Sequence, residues 1–296
     1  MKVAFFGTPT FAIPSLEALV GSKHKIACIV TQPDKPIGRG GKVAFSPVKE
    51  FGLAHNIPVL QPEKISRELH LLDPYKPDII ITCAFGQILR ANVLDYPRYG
   101  VINVHGSLLP KYRGASPIQW AVANGDTHTG VTIMRTDIGM DTGDMILSEP
   151  LEIGKEETSG ELFPRIATLG AKLLLKALDQ IERGSATYTP QNNSEATHAP
   201  MLKKEHGLID WSRTTQDILN HIRGMNPWPG AYFILDNEII KVHKARPTTE
   251  DARGRLAVKC ADGYIELTEV QAPGARRISG RDLMNGRRLN ANLNLN

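Results

Sequence analysis

The sequence predicts an α/β fold: a doubly wound, mostly parallel open sheet, followed by a second, small β-barrel domain. The N-terminal two thirds alternates short, continuously apolar runs with helical patterns, as strands buried on both faces of a parallel sheet require. The last third has short alternating strands at close spacing, which is typical of a small antiparallel barrel. A length of 296 residues fits two domains of the usual ~100–200 residues each.

Five runs in the N-terminal part have the β-branched, apolar character of buried strands: Lys2–Gly7, Lys25–Thr31, Ile57–Leu60, Asp78–Ala84 and Val101–His105. Helical spacing of apolar residues is found between them, at Phe11–Val20, Ser46–His55 and Ile65–Leu72. A longer helix is predicted from Ser159, with Gly184 just beyond its end. This alternation indicates a Rossmann-like sheet, in which active sites lie beyond the carboxyl ends of the strands.

The pattern changes after a polar, proline-containing stretch. A helix is predicted at Thr215–Gly224, and strands at Tyr232–Leu235, Ile239–Ala245, Leu256–Cys260 and Tyr264–Val270. We therefore expect a catalytic domain over residues 1–189, a linker over 190–206 and the barrel domain over 207–296.

Composition narrows the class of protein. With 41% hydrophobic and 22% charged residues, the chain has enough core material for a globular protein, and no apolar run approaches the ~18–20 residues of a membrane span. Cys28, Cys83 and Cys260 lie too far apart for a CxxC metal or redox motif, and their odd number suits a reducing compartment. The short apolar N-terminus lacks the features of a signal peptide. We expect a cytoplasmic monomer.

The net charge of +4 belongs to the last third, where residues 201–296 hold fifteen lysines and arginines against eleven acidic residues. Arg276, Arg277, Arg281, Arg287 and Arg288 are accompanied by only Asp282 in that stretch. A second cationic segment, Asp34–Lys49, is too long for a median connection of about 4–6 residues. Either cluster could bind a polyanion or simply be a solvated surface, and charge alone does not decide between them.

The densest chemical signal is the run from Val101 to Gly114 (VINVHGSLLPKYRG), followed by DIGMDTGD from Asp137. In a strand, residues two apart point to the same face, so Asn103 and His105 present an amide and an imidazole together at the strand's end. Such a pair can hold an oxyanion and pass a proton. Asp141, in a glycine-punctuated loop, can approach the imidazole, fix its tautomer and stabilise a positive charge on it. These three residues predict an acyl-transfer site that lacks a nucleophilic side chain.

Other sites are disfavoured. The turn after the first strand contains Pro9 and lacks the second and third glycines of a dinucleotide fingerprint. Ser107 is not in a GxSxG motif, which disfavours a serine hydrolase elbow. The loop at 137–144 has no bidentate glutamate for calcium. Taken alone, His105 would more often be a structural histidine at the end of a buried strand.

The central run resembles the signature of the formyltetrahydrofolate-dependent formyltransferases, and most closely of those that act on charged initiator tRNA. The resemblance extends along the chain. It includes VAFFGTPTF (3–11), TQPDKPIGRGG (31–41), AFGQIL (84–89), IDWS (209–212), IRGMNPWPGA (222–231) and NGRRL (285–289). The catalytic positions match, and the strands of the second domain match more loosely.

The resemblance implies a reaction. The amine of methionine esterified to initiator tRNA would attack the formyl carbon of 10-formyltetrahydrofolate, the co-substrate, without a metal. Asn103 and protonated His105 would hold the oxyanion, and Asp141 would pair with His105 and help the proton to move from the amine towards the folate. The folate would lie against Phe85, Gly86, Gln87, Ile88 and Asp137, with Ser107, Leu108, Leu109 and Pro110 as one wall.

The resemblance also implies a contact surface for tRNA. The insertion at 34–49 would meet the acceptor stem through Lys35, Arg39 and Lys42, with Arg39 as the main contact. The C-terminal barrel, resembling an OB-fold, would bind tRNA phosphates through Arg276, Arg277, Arg287 and Arg288. Two kinds of alternative remain open. One is another enzyme, either a formyltransferase acting on an amino-sugar nucleotide or the formyl-hydrolase part of a larger folate dehydrogenase, and the other is a tRNA-binding module without activity.

Overall fold

The computed structural model describes residues 1–37, 42–249, 254–289 and 292–293. The chain forms two compact units. Unit 1 comprises residues 1–114, 129–151 and 163–198, and unit 2 comprises residues 115–128, 152–162 and 199–296. Two internal segments of the N-terminal part therefore belong to the same unit as the C-terminal region.

The strands in chain order are β1 (Lys2–Gly7), β2 (Lys25–Val30), β3 (Lys35–Ile37), β4 (Lys42–Ala44), β5 (Val59–Leu60), β6 (Ile79–Cys83), β7 (Val101–His105), β8 (Arg113–Gly114), β9 (His128–Arg135), β10 (Met145–Glu152), β11 (His198–Ala199), β12 (Ala231–Leu235), β13 (Glu238–Thr248), β14 (Ala257–Lys259), β15 (Tyr264–Gln271), β16 (Ile278–Ser279) and β17 (Asn292–Leu293). The α-helices are α1 (Ile13–Val20), α2 (Pro47–Ala54), α3 (Ala91–Leu94), α4 (Pro117–Ala123), α5 (Ser159–Glu182), α6 (Thr215–Gly224) and α7 (Gly280–Arg287).

A seven-stranded sheet in the order β10-β9-β7-β6-β1-β2-β5 organises unit 1. The neighbours from β5 to β7 pair in parallel, and β9 pairs antiparallel to β7, so the predicted mostly parallel open sheet is confirmed. Every residue of β6 is buried, as a strand covered on both faces should be. Because β6 and β7 run side by side, their carboxyl ends, Cys83 and His105, open on the same edge of the sheet.

The predicted elements agree with the structure to within a few residues, with one exception. At Ile65–Leu72 the expected helix is wrong, since only a short 3₁₀ helix at Leu69–Leu72 forms there. The carbonyl oxygen of Ser66, which would accept from His70 in an α-helix, accepts instead from the side chain of Asn92. Strands β9 and β10 and helices α3, α4 and α7 were not predicted from the sequence.

In the described part of the cationic segment at 34–49, two short strands form a hairpin ahead of helix α2. Strands β3 and β4 pair antiparallel, and Ser46 then caps helix α2 by accepting from the Lys49 N–H. At the base of the hairpin, Lys49 forms an ion pair with Asp34, which also accepts a hydrogen bond from Gln61. The bond from Lys49, followed by that from Gln61, lowers the pKa of Asp34. These two interactions therefore fix the base of the β3–β4 hairpin.

Unit 2 is built on a mainly antiparallel sheet with the order β12-β13-β15-β14-β17, and β16 pairs with β15. Register shifts between Val242 and Ala245 in β13 curl this sheet, which agrees with the small OB-like barrel that the sequence predicts. Helix α6 packs closely on α4, because a Cβ added at Gly224 would lie 2.6 Å from the backbone nitrogen of Ala123. Helix α4 thus belongs to the core of unit 2, although its residues lie within the range 1–189.

Candidate functional site

Asn103 and His105 lie on β7, two residues apart, and therefore on the same face of the sheet. The neighbouring strand β6 fixes the amide of Asn103. The hydroxyl of Thr82, the residue paired with Asn103, donates to its Oδ1 at 2.9 Å. Because Oδ1 is occupied in this way, the Nδ2 donors of Asn103 are turned to the opposite side, where the nearest acidic group is Asp141.

The ring of His105 is buried, with 5% of its surface exposed, and both nitrogens face oxygen atoms. Nε2 lies 3.0 Å from the carbonyl oxygen of Tyr112, which can only accept, so Nε2 carries a hydrogen. Nδ1 is then the nitrogen that gains or loses a proton, and it lies 3.7 Å from Oδ2 of Asp141. We expected Asp141 to fix the tautomer, but the Tyr112 carbonyl does so.

Asp141 connects the two side chains of β7. Its Oδ1 lies 3.5 Å from Nδ2 of Asn103, and its Oδ2 accepts from the backbone N–H of Gly114 at 2.8 Å. The residue has a φ of 54°, in the left-handed region that a non-glycine residue seldom adopts. The predicted juxtaposition of Asn103, His105 and Asp141 is therefore present, with the carboxylate held by a backbone donor.

The loop that carries Asp141 is closed by close backbone approaches. Asp137 accepts from the Gly139 N–H and from the Thr142 hydroxyl, which ties the two ends of the turn together. A Cβ added at Gly143 would lie 1.8 Å from the carbonyl oxygen of Arg135. Only glycine fits there without a backbone shift, which explains one of the glycines in the DIGMDTGD run.

The chemistry available at this site is oxyanion binding and proton transfer. An amide donor, an imidazole and a carboxylate meet at one end of β7. Ser107 is no nucleophile here, because it is fully buried and its hydroxyl donates to the Lys111 carbonyl oxygen at 2.6 Å. The arrangement suits transfer of an acyl group between two substrates.

The residues predicted to hold folate follow β6 and β7. Phe85 is buried, and its carbonyl oxygen accepts from Thr8 and Gln32, whereas Ile88 leaves 85% of its surface exposed. The side chain of Gln87 is occupied by the backbone of Ile65 and Pro62. Gly86 has a φ of 85°. Leu109 is buried and its N–H donates to Thr132, whereas Leu108 and Pro110 are half-buried. Asp137 closes the loop described above.

The basic residues proposed for tRNA divide into paired and unpaired groups. Arg277 forms an ion pair with Glu269, and Arg287 with Glu238 and Asp236. In the described part of the chain, Arg276 and Arg288 are exposed and form no ion pair. Lys35 is exposed at the start of the hairpin; Arg39 and the Lys42 side chain lie outside the described residues.

Several residues around the site were not predicted from the sequence. Thr82 and the Tyr112 carbonyl orient Asn103 and His105, and Gln191 donates to the carbonyl oxygen of Asp141 from a stretch expected to be a linker. Gln191 in turn accepts from the buried Arg113. Arg113 was visible in the KYRG run, but nothing in the sequence pairs it with Gln191, 78 residues away.

Another polar cluster outside this site contains His24, Asp179 and Glu182, whose potential ligand atoms lie within 4.8 Å of one another. Cations of the chain itself occupy it. Lys23 bonds to both carboxylates, and the N-terminal amine bonds to Glu182. Lys23, followed by the amine, lowers the pKa of Glu182 to about 2. The cluster is thus a set of ion pairs at the surface.

Among the described residues, no helix combines the length and the hydropathy needed to cross a bilayer.

Comparison with known proteins identifies the family. The pattern described as "Formyl transferase" matches residues 1–178, and that described as "Formyl transferase, C-terminal domain" matches residues 201–288. A methionyl-tRNA formyltransferase of Agathobacter rectalis is 47% identical over 299 residues, which cover 97% of this chain and 96% of the relative. One of Solibacter usitatus is 46% identical over 303 residues, covering 99% and 97%.

Solved structures share the fold at lower identity. An N-formyltransferase of Helicobacter canadensis, in complex with folinic acid and dTDP-3-aminofucose, has a TM-score of 0.71 at 21% identity over 92% of this chain and 99% of that one. HypX from Aquifex aeolicus in complex with tetrahydrofolic acid has a TM-score of 0.67 at 16% identity, over 99% of this chain and 48% of that one. With near full-length relatives of one name and both domain patterns matched in order, the chain belongs to the formyl transferase family and, within it, to the methionyl-tRNA formyltransferases.

Proposed function

We propose that this protein transfers the formyl group of 10-formyltetrahydrofolate to the amino group of methionyl initiator tRNA, giving N-formylmethionyl-tRNA for translation initiation. The observation that carries the proposal is the meeting of Asn103, His105 and Asp141 at the end of β7, in a chain of this family. The three groups provide what a formyl transfer needs, a donor for the oxyanion and a route for protons.

The geometry gives each side chain a task. When the amine nitrogen bonds to the formyl carbon, the carbonyl oxygen becomes negative, and Nδ2 of Asn103 donates to it. Nδ1 of His105, protonated beside Asp141, is the second donor, since Nε2 is held by the Tyr112 carbonyl. The attacking amine loses a proton and N10 of the folate gains one as the C–N10 bond breaks. Asp141 stabilises the imidazolium and assists this proton movement.

The folate is expected beside the two strand ends. The backbone at 85–88 would face the flat heterocycle, and Ser107–Pro110 would form a wall. Since the Phe85 carbonyl and the Gln87 side chain already have partners within the chain, the hydrogen bonds to the pterin would come from the remaining backbone groups there and from the segment 137–141.

Arg39 is expected to be the main contact of the insertion at 34–49 with tRNA. Arg39→Ala should raise the KM for methionyl-tRNA about tenfold, the loss of one good charged contact, and leave the KM for the formyl donor unchanged. Steady-state kinetics with each substrate varied in turn checks this. Lys23→Ala, which removes a surface cation at the far edge of the sheet, is the matched control. An equal change in both KM values would mean a folding defect and would contradict the role.

The unpaired arginines of unit 2 should contribute more to tRNA binding than the paired ones. Arg276→Ala and Arg288→Ala should each weaken binding and lower the slope of log K against log salt by about 1, since each phosphate contact releases counterions. Arg277→Ala and Arg287→Ala should have smaller effects, because Glu269 and Glu238 already neutralise these side chains. Filter binding between 50 and 200 mM salt, a range in which such contacts differ, measures the slopes. A wild-type slope in all four variants would exclude this surface, and an equally lowered slope in all four would refute the difference between paired and unpaired arginines.

A competition between acceptors tests the function itself. The protein is incubated with 10-formyltetrahydrofolate and, in separate reactions, with methionyl initiator tRNA, uncharged tRNA and an amino-sugar nucleotide. Formylation of the charged tRNA alone is expected. Formylation of the sugar nucleotide, or binding of tRNA without any transfer, would overturn the proposal.

We place this activity in the cytoplasm, where initiator tRNA is charged, and the three buried, free cysteines suit a reducing compartment. The monomer predicted from the sequence stays a prediction, which sedimentation equilibrium measures directly.

A further inference from the structure

The amide of Gln191 joins two parts of unit 1 that are distant in sequence. Its Nε2 donates to the carbonyl oxygens of Asp141 and Gly143, both at 2.8 Å. Its Oε1 accepts from Nε and Nη2 of Arg113, at 3.0 and 2.8 Å. A primary amide has two donor hydrogens and two acceptor lone pairs, so this side chain uses its whole capacity. Only 9% of the surface of Gln191 is exposed, which keeps water from replacing these bonds.

The backbone that Gln191 holds needs support. Asp141 has a φ of 54°, and a non-glycine residue in this region persists where the surroundings determine its conformation. The two hydrogen bonds from Gln191 fall on the carbonyl of Asp141 itself and on the carbonyl two residues later. They therefore act on the turn that aims the carboxylate.

Arg113 holds the amide oxygen of Gln191 in place. The guanidinium belongs to a residue that is 5% exposed, and within the described residues it bonds to the amide oxygens of Gln191 and Asn193 and pairs with no carboxylate. A buried cation on Oε1 polarises the amide and strengthens the Nε2 donors on its other end. The next residue, Gly114, donates its N–H to Oδ2 of Asp141. The pair Arg113–Gly114 thus restrains both the backbone and the carboxylate of Asp141.

We propose that Gln191 is a positioning residue for Asp141. Its amide is hydrogen-bonded to Arg113 on one side and to the backbone at 141–143 on the other, and these bonds keep the Asp141 carboxylate close to Nδ1 of His105. The proposal rests on the proposed function, because it assumes that Asp141 acts in the transfer. Gln191 itself bonds only to groups of the chain and acts through Asp141.

Gln191→Glu separates this role from general stability. Glutamate has the same size and would pair with Arg113, so the buried cation keeps a partner. Both N–H donors are lost, however, and a carboxylate oxygen would face the two carbonyl oxygens. We expect turnover to fall about 10- to 100-fold, as for a small misplacement of a catalytic group. The KM for the formyl donor should rise by a smaller factor, because the segment 137–141 is also expected to bond to the pterin. Gln180→Glu is the matched control: it makes the same chemical change near Glu182, at the edge where β1 begins, and should keep the wild-type rate.

A double variant shows whether the loss passes through Asp141. Residues that act as a unit have non-additive effects, so Gln191→Glu combined with Asp141→Asn should be no slower than Asp141→Asn alone. A purely structural role would multiply the two losses, and that result would overturn the proposal. Wild-type turnover in Gln191→Glu would overturn it as well.

Hydrogen exchange gives a reading that does not depend on the reaction. In Gln191→Glu, amides of the segment 137–144 should exchange faster, while those of α5 stay as in the wild type. Unchanged exchange at 137–144 would refute the positioning role even if activity fell. Should the wild type fail to formylate methionyl-tRNA, the proposed function fails, and the exchange data still decide the role of Gln191. If Gln191→Glu does not fold, Arg113→Lys takes its place in the same comparisons, because lysine keeps the charge and loses the forked contact.

Discussion

Asn103→Ala and His105→Ala are each expected to lower turnover at least about 100-fold, equal to about 2.7 kcal/mol of barrier. Each substitution removes one donor to the oxyanion, and that donor is worth most in the transition state, where the oxygen carries its charge. The KM values should change little, because the ground-state carbonyl is a weaker acceptor. Single-turnover formylation with saturating substrates measures the chemical step directly.

The control for this pair is His70→Ala, which removes an exposed histidine of unit 1 outside the site and should keep the wild-type rate. Asn103→Ala also removes the acceptor of the Thr82 hydroxyl, so thermal unfolding of each variant should be recorded beside its rate. Near-normal turnover in both folded variants would remove these side chains from the mechanism and leave the site without its oxyanion donors.

Gly143→Ala is expected to lower turnover about 100-fold without changing any side chain of the site. A Cβ at this position would lie 1.8 Å from the Arg135 carbonyl oxygen, and real Cβ contacts are not found below about 3.0 Å. The loop must therefore move by more than an ångström, and Asp141, two residues earlier, moves with it. Kinetics together with a melting curve measures the effect. Gly143 is buried and its carbonyl oxygen accepts from Gln191, so the melting temperature should fall as well, and the rate is compared at a temperature where the variant is folded.

Gly21→Ala is the matched substitution, since the Cβ added at the end of α1 would have no neighbour closer than 3.7 Å. It should keep both the rate and the melting temperature of the wild type. A Gly143→Ala protein as active as Gly21→Ala would show that the position of the loop does not limit the reaction.

Strands and helices were predictable where the local pattern and the packing agree. The apolar runs of β1 and β7 end where the sequence indicates, and the helix predicted at Thr215–Gly224 has those bounds. At Ile65–Leu72 the local pattern favoured a helix, but the side chain of Asn92 bonds to the Ser66 carbonyl oxygen that the helix would use. Such contacts with residues more than twenty positions away cannot be deduced from periodicity.

The residue types of the candidate site were predictable from the sequence, but the hydrogen bonds that orient them were not. Asn103 and His105 follow from the two-residue period of a strand, and Asp141 from a glycine-rich loop. The partners that orient them are backbone groups, such as the Tyr112 carbonyl, or side chains from remote segments, such as Thr82 and Gln191. A carbonyl has no sequence signature, and a lone glutamine in a polar stretch has none either.

The two compact units cannot be separated by cutting the chain at one position. Residues 115–128 and 152–162 lie in the N-terminal half of the sequence and yet complete the core around α6, with Gly224 set against Ala123. A fragment ending near residue 189 would expose the apolar side of α4, and a fragment starting near residue 207 would lack it. No single cut yields two self-sufficient pieces, so chimeras between relatives must exchange three stretches of sequence at once.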